Sequence, residues 1–338
     1  MSVRVLTAGF LVCDIIAAGL SKIAEPGELV WVEKGIDMYI GGHPANVSID
    51  LVKIGYDPSR ILVVGVVGYD VFGDFIEKTL KSYNLNVNLY RVKEAGTTKN
   101  IVLVVKGEDR RFHVDLGASW YMKPEMITRS IADWKPKLLY LACGIIGEAD
   151  EKLPDILNEA RRQGAVTFVD LAPPYGKDWD FIIGSLEYID IFHCNLAELK
   201  HITREEKLRN AVKKMLGYGV KVLAITLGGE GAYIAKDDTL IYQPAFKIEA
   251  IDPTGAGDAF SAGMIFKLIE LLGEEISGET IEKLNVDDLQ EILLWGQAAG
   301  ASACLAPGTT TSVSRENIEK LIVAQKNRII SEQRIEKI

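Results

Sequence analysis

The chain has 338 residues, of which 48% are hydrophobic and 25% charged, enough for a sizeable core without disulfides or metals and unlike the composition of a disordered polymer. Its formal net charge of −9 is spread along the length, and the basic doublets Arg110-Arg111, Arg161-Arg162 and Lys213-Lys214 stand alone, which argues against a nucleic-acid-binding stripe. Cys13, Cys143, Cys194 and Cys304 lie far apart without a C-x-x-C pair, and His43, His113, His193 and His201 show no metal-ligand spacing, so free thiols in a reducing compartment and no His/Cys metal site are expected.

The first twenty residues, MSVRVLTAGFLVCDIIAAGL, are apolar but lack a basic segment and hold Asp14 inside the run. They read as a buried strand followed by a polar site residue rather than a leader. No run reaches the length needed to span a bilayer, and a soluble cytoplasmic protein is expected. Further along, VRVLTAGF, RILVVGVVG, KLLYLAC, AVTFVD, YIDIFHCN and KVLAITLGG are short β-rich runs bounded by Gly, Asp or Pro. Between them, residues 44–55, 71–83, 148–163 and 205–218 have the pattern of amphipathic helices. Continuous apolar strands separated by helices predict an α/β fold with a mainly parallel central sheet covered on both faces.

Two stretches interrupt that rhythm. GELVWVEKGIDMYIGG (27–42) and TTKNIVLVVKGEDRRFHVDLGA (97–118) look like paired strands, the second a hairpin turning at Lys106-Gly107-Glu108-Asp109. Lying beside candidate site residues, they predict a small β-sheet lid, with strands within about 15–40 and 97–118, inserted in one domain spanning 1–338. From Ile251 onward the chain reads as almost wholly helical: a central helix in GAGDAFSAGMIFKLIELLG, with helices at 287–304 and 315–335 behind it.

In IDPTGAGDAF (251–260), Asp258 follows a turn nearly stripped of side chains. The turn falls where a strand gives way to a helix, the place where ligands sit in open parallel sheets. Gly255 and Gly257 let backbone N–H groups converge on an anion, and the helix N-terminus adds partial positive charge. The spacing is not G-x-x-x-x-G-K-[ST], nor G-x-G-x-x-G, because Phe260 stands where the third glycine would be. Asp258 therefore either complements the helix dipole or works beside a bound phosphate. In GGHPANVSIDLVKIG (41–55), Gly41 and Gly42 permit close backbone approach, and Asn46 either caps its helix or bonds a ligand hydroxyl. In CNLAEL, Asn195 and Glu198 stand three apart after a strand, which suits either helix capping or a hydrated Mg²⁺.

Taken together, Gly41-Gly42 with Asn46, the N-x-x-E of Asn195 and Glu198, TLGGEGA at 226–232 and D-x-T-G-A-G-D at 252–258 resemble the ribokinase-like, or PfkB, carbohydrate kinases, in order from Gly9 to about Ser312. The resemblance implies a three-layer α/β/α fold and transfer of the γ-phosphoryl group of ATP, with Mg²⁺, to a hydroxyl of a small sugar. It implies Asp258 as the base and the amides of Gly255, Ala256 and Gly257 as an anion hole. By the same carry-over, Asp14, Gly41, Gly42 and Asn46 hold the sugar; Asn195, Thr226, Gly228 and Gly231 the nucleotide; and Glu198 the Mg²⁺ through water. Asp252, Thr254, Gly308 and Ser312 match a K⁺ site found in many members. Asp70, in GYDVFGDF, lies near the acceptor in this family or caps the next helix.

GGHPANVS is closer to the G-G-x-P-A-N form of fructokinase-like members than to the G-G-K-G-A-N form of ribokinases, which points to a fructose-like ketose or related sugar. VDLAPPYGK departs from the D-x-N-x-R run of many hexose kinases, with Ala172 and Pro174 in place of Asn and Arg. A nucleoside kinase of the same fold is the nearest alternative, with Trp31, Tyr39, Phe112, Trp120 and Tyr121 as candidates to stack a base. A catalytically silent sugar-binding protein is a third, opposed by the intact base and glycines. Pairing of two lids into a homodimer is expected.

Overall fold

The computed structural model describes residues 3–108 and 110–338, and within it each of the six apolar runs forms a strand. Val5–Ala8 is β1. The chain then leaves for two strands of a separate sheet, Val12–Leu20 (β2) and Ile36–Gly41 (β3). It returns as Ile61–Gly68 (β4) and Asn86–Val92 (β5) and departs again as Lys99–Val105 (β6) and Arg111–Asp115 (β7). Leu138–Cys143 (β8), Val166–Leu171 (β9), Ile191–Asn195 (β10) and Val222–Thr226 (β11) complete the parallel part. Ala232–Lys236 (β12), Thr239–Gln243 (β13) and Arg334–Lys337 (β14) extend it antiparallel.

Among the described residues the large sheet has ten strands in the order β14-β13-β12-β11-β10-β9-β8-β1-β4-β5, and the small one four in the order β3-β2-β6-β7. Every residue of β1, β4, β8 and β9 is buried, as a parallel sheet covered on both faces requires. The helix Ala256–Leu272 is buried around most of its circumference and packs on both His43–Ile54 and Val286–Ala303. Among the described residues no helix is long and apolar enough to cross a membrane.

Several expectations needed correction. The first apolar run is two strands, because the chain turns at Gly9–Leu11 and Asp14 lies within β2 of the lid. Residues 28–35 are not strand, and β3 pairs with β2 rather than within its own stretch. The hairpin of residues 97–118 is present as β6 and β7, antiparallel from Lys99↔Asp115 to Leu103↔Arg111; Asp109 of its turn lies outside the described residues. The helix expected over 148–163 is broken into Glu148–Glu151 and Leu153–Arg162, since Pro154 cannot donate a helical hydrogen bond. The last helix stops at Glu332, and the following RIEK, built of good helix formers, is drawn into β14 by the open edge of β13.

The ends of β1, β8, β9, β10 and β11 bring Gly9, Cys143, Leu171, Asn195 and Thr226 to one edge of the large sheet. Asp258 stands on the first turn of the helix Ala256–Leu272. The four cysteines are unpaired, and burial raises the pKa of Cys143 and Cys194 well above the usual thiol value.

Candidate active site

Asp258 is buried, with 7% of its surface exposed, at the start of a helix whose N-terminal charge favours an anion. Gly255 precedes it in the left-handed conformation, φ 77°, and a Cβ there would lie 2.2 Å from the carbonyl oxygen of Thr309. That position is therefore closed to any side chain. Of the three expected anion-hole amides, that of Ala256 donates to the carbonyl of Pro253 at 3.2 Å, a long bond that an incoming phosphoryl oxygen would share or displace.

Two groups from the helix His43–Ile54 converge on Asp258. Asn46 donates from Nδ2 to Asp258 Oδ2 at 2.7 Å across 212 residues of sequence. His43 Nδ1 lies 2.7 Å from Asp258 Oδ1. Asn46 does not cap its helix, where Gly42 is the N-cap residue; its buried Oδ1 has no partner among the described residues and remains an acceptor for a ligand hydroxyl.

Behind this pair lies a second one. Asp170 Oδ2 sits 4.0 Å from His43 Nδ1 and 3.0 Å from His193 Nδ1. It also accepts from Ser261 at 3.0 Å and Tyr140 at 3.1 Å. Thr226 Oγ1 lies 3.5 Å from His193 Nε2, which ties the expected nucleotide side to the same row. Burial opposes charge on both histidines, but the facing carboxylates outweigh it: Asp258, with Asp170 and Glu198, lifts His43 to about 9, and Asp170 raises His193. Burial tends to raise Asp170, but the pull of His193 and then His43 brings it down to about 2. The result is a row in which carboxylate and imidazole side chains alternate, Asp258, His43, Asp170, His193. The ligating atoms of its first three members lie within 4.8 Å of one another.

The lid adds Asp14, whose place in β2 puts it in register with Asn100 of β6. Asn100 Nδ2 donates to Asp14 Oδ1 at 3.0 Å. A Cβ on Gly41 would come within 2.2 Å of Asp14 Oδ2, so glycine there leaves room for the carboxylate. Burial raises Asp14 to about 6, with Asn100 opposing and the charge of Asp258 adding to the rise. With Asp14 on a substrate hydroxyl, as the family resemblance implies, the acid limb of acceptor kcat/KM is expected near pH 6, where protonation removes the charge that strengthens that hydrogen bond. Asp14→Asn should flatten that limb and raise the acceptor KM by about 10- to 100-fold, the worth of a hydrogen bond to a charge. Stability runs the other way: the raised value means that what Asp14 contributes to folding is lost as pH rises through about 6, so Asp14→Asn should raise Tm above that pH.

Asn195 and Glu198 form a capping box on the helix Leu196–Thr203, with Asn195 accepting from the Glu198 amide at 2.9 Å and Glu198 Oε2 from the Asn195 amide at 2.8 Å. Burial holds Glu198 above the usual carboxylate value. Gly228 lies in the short turn after β11 and Gly231 closes it. Asp70 accepts from the Gly73 amide as N-cap of the helix Val71–Ser82 and from Thr97, a structural assignment. Asp252 accepts from the Thr254 amide at Oδ1 and from the Gly308 amide at Oδ2, the latter at 3.1 Å. Ser312 is turned away, donating to the carbonyls of Ser302 and Ala303.

Sequence reasoning missed His43, Asn100, Asp170, His193 and Ser261. His43 was visible inside GGHPAN, but its partner lies on another helix. Asp170 and His193 stand near the ends of the adjacent strands β9 and β10, so the signal was strand neighbourhood rather than spacing.

A doubly covered parallel sheet and a four-stranded lid thus frame a buried carboxylate at a glycine-rich helix start. The chain belongs to the pfkB family of carbohydrate kinases, whose model matches residues 5–316. It is 26% identical to the ribokinase of Staphylococcus aureus over 74% of this chain and 81% of that one. It is 28% identical to the fructokinase of Klebsiella pneumoniae over 81% and 88%. In structure it is similar to a fructokinase of Xylella fastidiosa with bound ATP, at TM-score 0.80 and 19% identity over 96% of this chain and all of that one.

Proposed function

We propose that this sugar kinase moves the γ-phosphoryl group of ATP to a hydroxyl of a fructose-like ketose or related carbohydrate, with Asp258 as the base. The observation that carries the reading is Asp258 itself, buried at a helix start, fixed by Asn46 at 2.7 Å and flanked by His43. Asp258 takes the proton of the acceptor hydroxyl, the oxygen attacks the γ-phosphorus, and the leaving nucleotide departs on the opposite side. The amides of Gly255, Ala256 and Gly257 receive the phosphoryl oxygens. Asp14, with Asn46 Oδ1 and the backbone at Gly41-Gly42, receives the remaining sugar hydroxyls.

Thr226, Gly228, Gly231 and Asn195 line the nucleotide side. Glu198 fits a hydrated Mg²⁺: it is a carboxylate with one oxygen free of the capping box, and burial raises its pKa so that a cation would relieve it. When bound with ATP, Mg²⁺ neutralises phosphate charge. Glu198→Gln keeps the capping pattern and removes the charge. It should therefore leave the fold intact while raising the Mg²⁺ concentration for half-maximal activity by about 10- to 100-fold. A magnesium titration with circular dichroism of both forms checks this.

The G-G-x-P-A-N form of the motif supports a ketose, while Ala172 and Pro174 set the site apart from the D-x-N-x-R hexose kinases. The nucleoside reading draws on Tyr39, Asn100 and Val114 sharing the lid face of Asp14, with Tyr39 and Val114 partly exposed and free to pack against a base. On the other face Ile36, Met38 and Ile101 are exposed, an apolar surface suited to a second lid in a homodimer. Comparing kcat/KM for fructose, ribose and a purine nucleoside tests the assignment. Fructose is expected to exceed the nucleoside by at least about 10², the margin a hydrogen-bonded site gives; the reverse ranking would assign the nucleoside.

A further inference from the structure

The loop before the anion hole carries a feature of its own. Asp252 Oδ1 accepts from the Thr254 amide at 2.9 Å, the Thr254 hydroxyl at 2.5 Å and Arg110 of the lid at 2.9 Å, while Oδ2 takes the Gly308 amide. A carboxylate offers about four lone-pair sites, and four donors meet this one. On the other side of the loop, the Lys53 ammonium donates to the carbonyl of Thr310 and, at 2.9 Å, to that of Thr311. Ser312 spends its hydroxyl on Ser302 and Ala303. A monovalent metal ion at Asp252, Thr254, Gly308 and Ser312 would have to displace a guanidinium and turn a serine, so these residues do not fit one as they stand.

We propose that this chain supplies its own fixed cation beside the anion hole: Arg110 on Asp252, with Lys53 bracing the 310–311 carbonyls, takes the place of a potassium ion. Arg110 sits immediately before β7 on the lid hairpin, and Thr309 of the loop donates to the carbonyl of Ile40 in the lid strand β3. The positive charge therefore reaches the turn on the lid and shares its position. Arg110 acts through Asp252 and the turn that ends in Gly255, as a positioning residue rather than a group touching substrate.

The inference rests on the phosphoryl-transfer reading, and its test includes a measurement that needs no turnover. Activity and Tm are followed for the wild type, Arg110→Ala and Arg110→Lys while K⁺ replaces choline up to roughly 0.1 M at fixed ionic strength. The wild type and Arg110→Lys are expected to change by less than twofold in kcat and to show no K⁺-dependent shift in Tm. Arg110→Ala should lose at least about tenfold in kcat without K⁺, recover most of it with K⁺, and gain Tm on adding K⁺. A wild type activated tenfold and stabilised by K⁺, or an Arg110→Ala form that K⁺ does not rescue or stabilise, overturns the proposal. Failure of the kinase reading would show differently, as absent turnover in every form with the Tm response to K⁺ still present in Arg110→Ala.

Discussion

Asp258→Asn is expected to lower kcat by about 10² to 10⁴, the usual worth of a positioned base, with the acceptor dissociation constant changed by less than tenfold. Asparagine has the size of aspartate, so the packing of the helix Ala256–Leu272 survives; its side-chain oxygen can still accept from Asn46 Nδ2, the bond now made at 2.7 Å, and its amide nitrogen then faces a His43 that gives up the Nδ1 proton. It has no lone pair basic enough to take a hydroxyl proton. The change therefore separates proton transfer from assembly of the site. Steady-state kinetics with calorimetric titration of the sugar checks the split: a loss confined to kcat assigns Asp258 to the chemical step, while a loss confined to binding assigns it to sugar recognition.

His43→Gln should cost the second-largest amount, about 10² to 10³ in kcat, as for removal of one preorganised charge or donor at a phosphoryl site. His43 stands between Asp258 and Asp170, and those carboxylates keep it protonated through neutral pH, with a value of about 9. An imidazolium there serves two purposes. It offsets two buried carboxylates, and under the proposed mechanism it would present a positive charge where negative charge accumulates as the acceptor oxygen attacks phosphorus. Glutamine keeps polarity and approximate length but neither charge. The ribokinase form of the same motif has lysine at this position, so His43→Lys should recover at least about tenfold of the loss. A merely structural histidine would give the opposite pattern, with Tm falling and no benefit from lysine. Kinetics and thermal unfolding on the three proteins decide between these outcomes.

Much of the architecture was legible because parallel strands buried on both faces are predominantly apolar, and β1, β4, β8, β9, β10 and β11 are so apart from a few polar residues, among them Asp170 and His193 near the site end of β9 and β10. What escaped were elements whose partners lie elsewhere in the chain. The strand β14 has helix-forming residues and exists because β13 offers an edge, and β2 was hidden inside an apolar run that also supplied β1. The site shows the same division. Gly255, Asp258, Asn46 and Asp14 stand in short local motifs that drew attention to them, and their roles came from the family resemblance. Asn100 faces Asp14 only through lid register, and Asp170 meets His43 only because the fold brings β9 against the start of the helix His43–Ile54. Of the two readings of Asn195 and Glu198, the structure shows the capping box, which engages one oxygen of Glu198; the hydrated metal belongs to the proposed function.

The most direct test of the account follows phosphorus by NMR in mixtures of the protein, ATP, Mg²⁺ and single ketohexoses or pentoses, with Asp258→Asn in parallel. A sugar-phosphate resonance growing in step with ADP, and absent with the variant, is the expected result. Sugars that bind the wild type without any phosphoryl group reaching a sugar or a nucleoside would contradict it and make the chain a silent binding protein on a kinase fold.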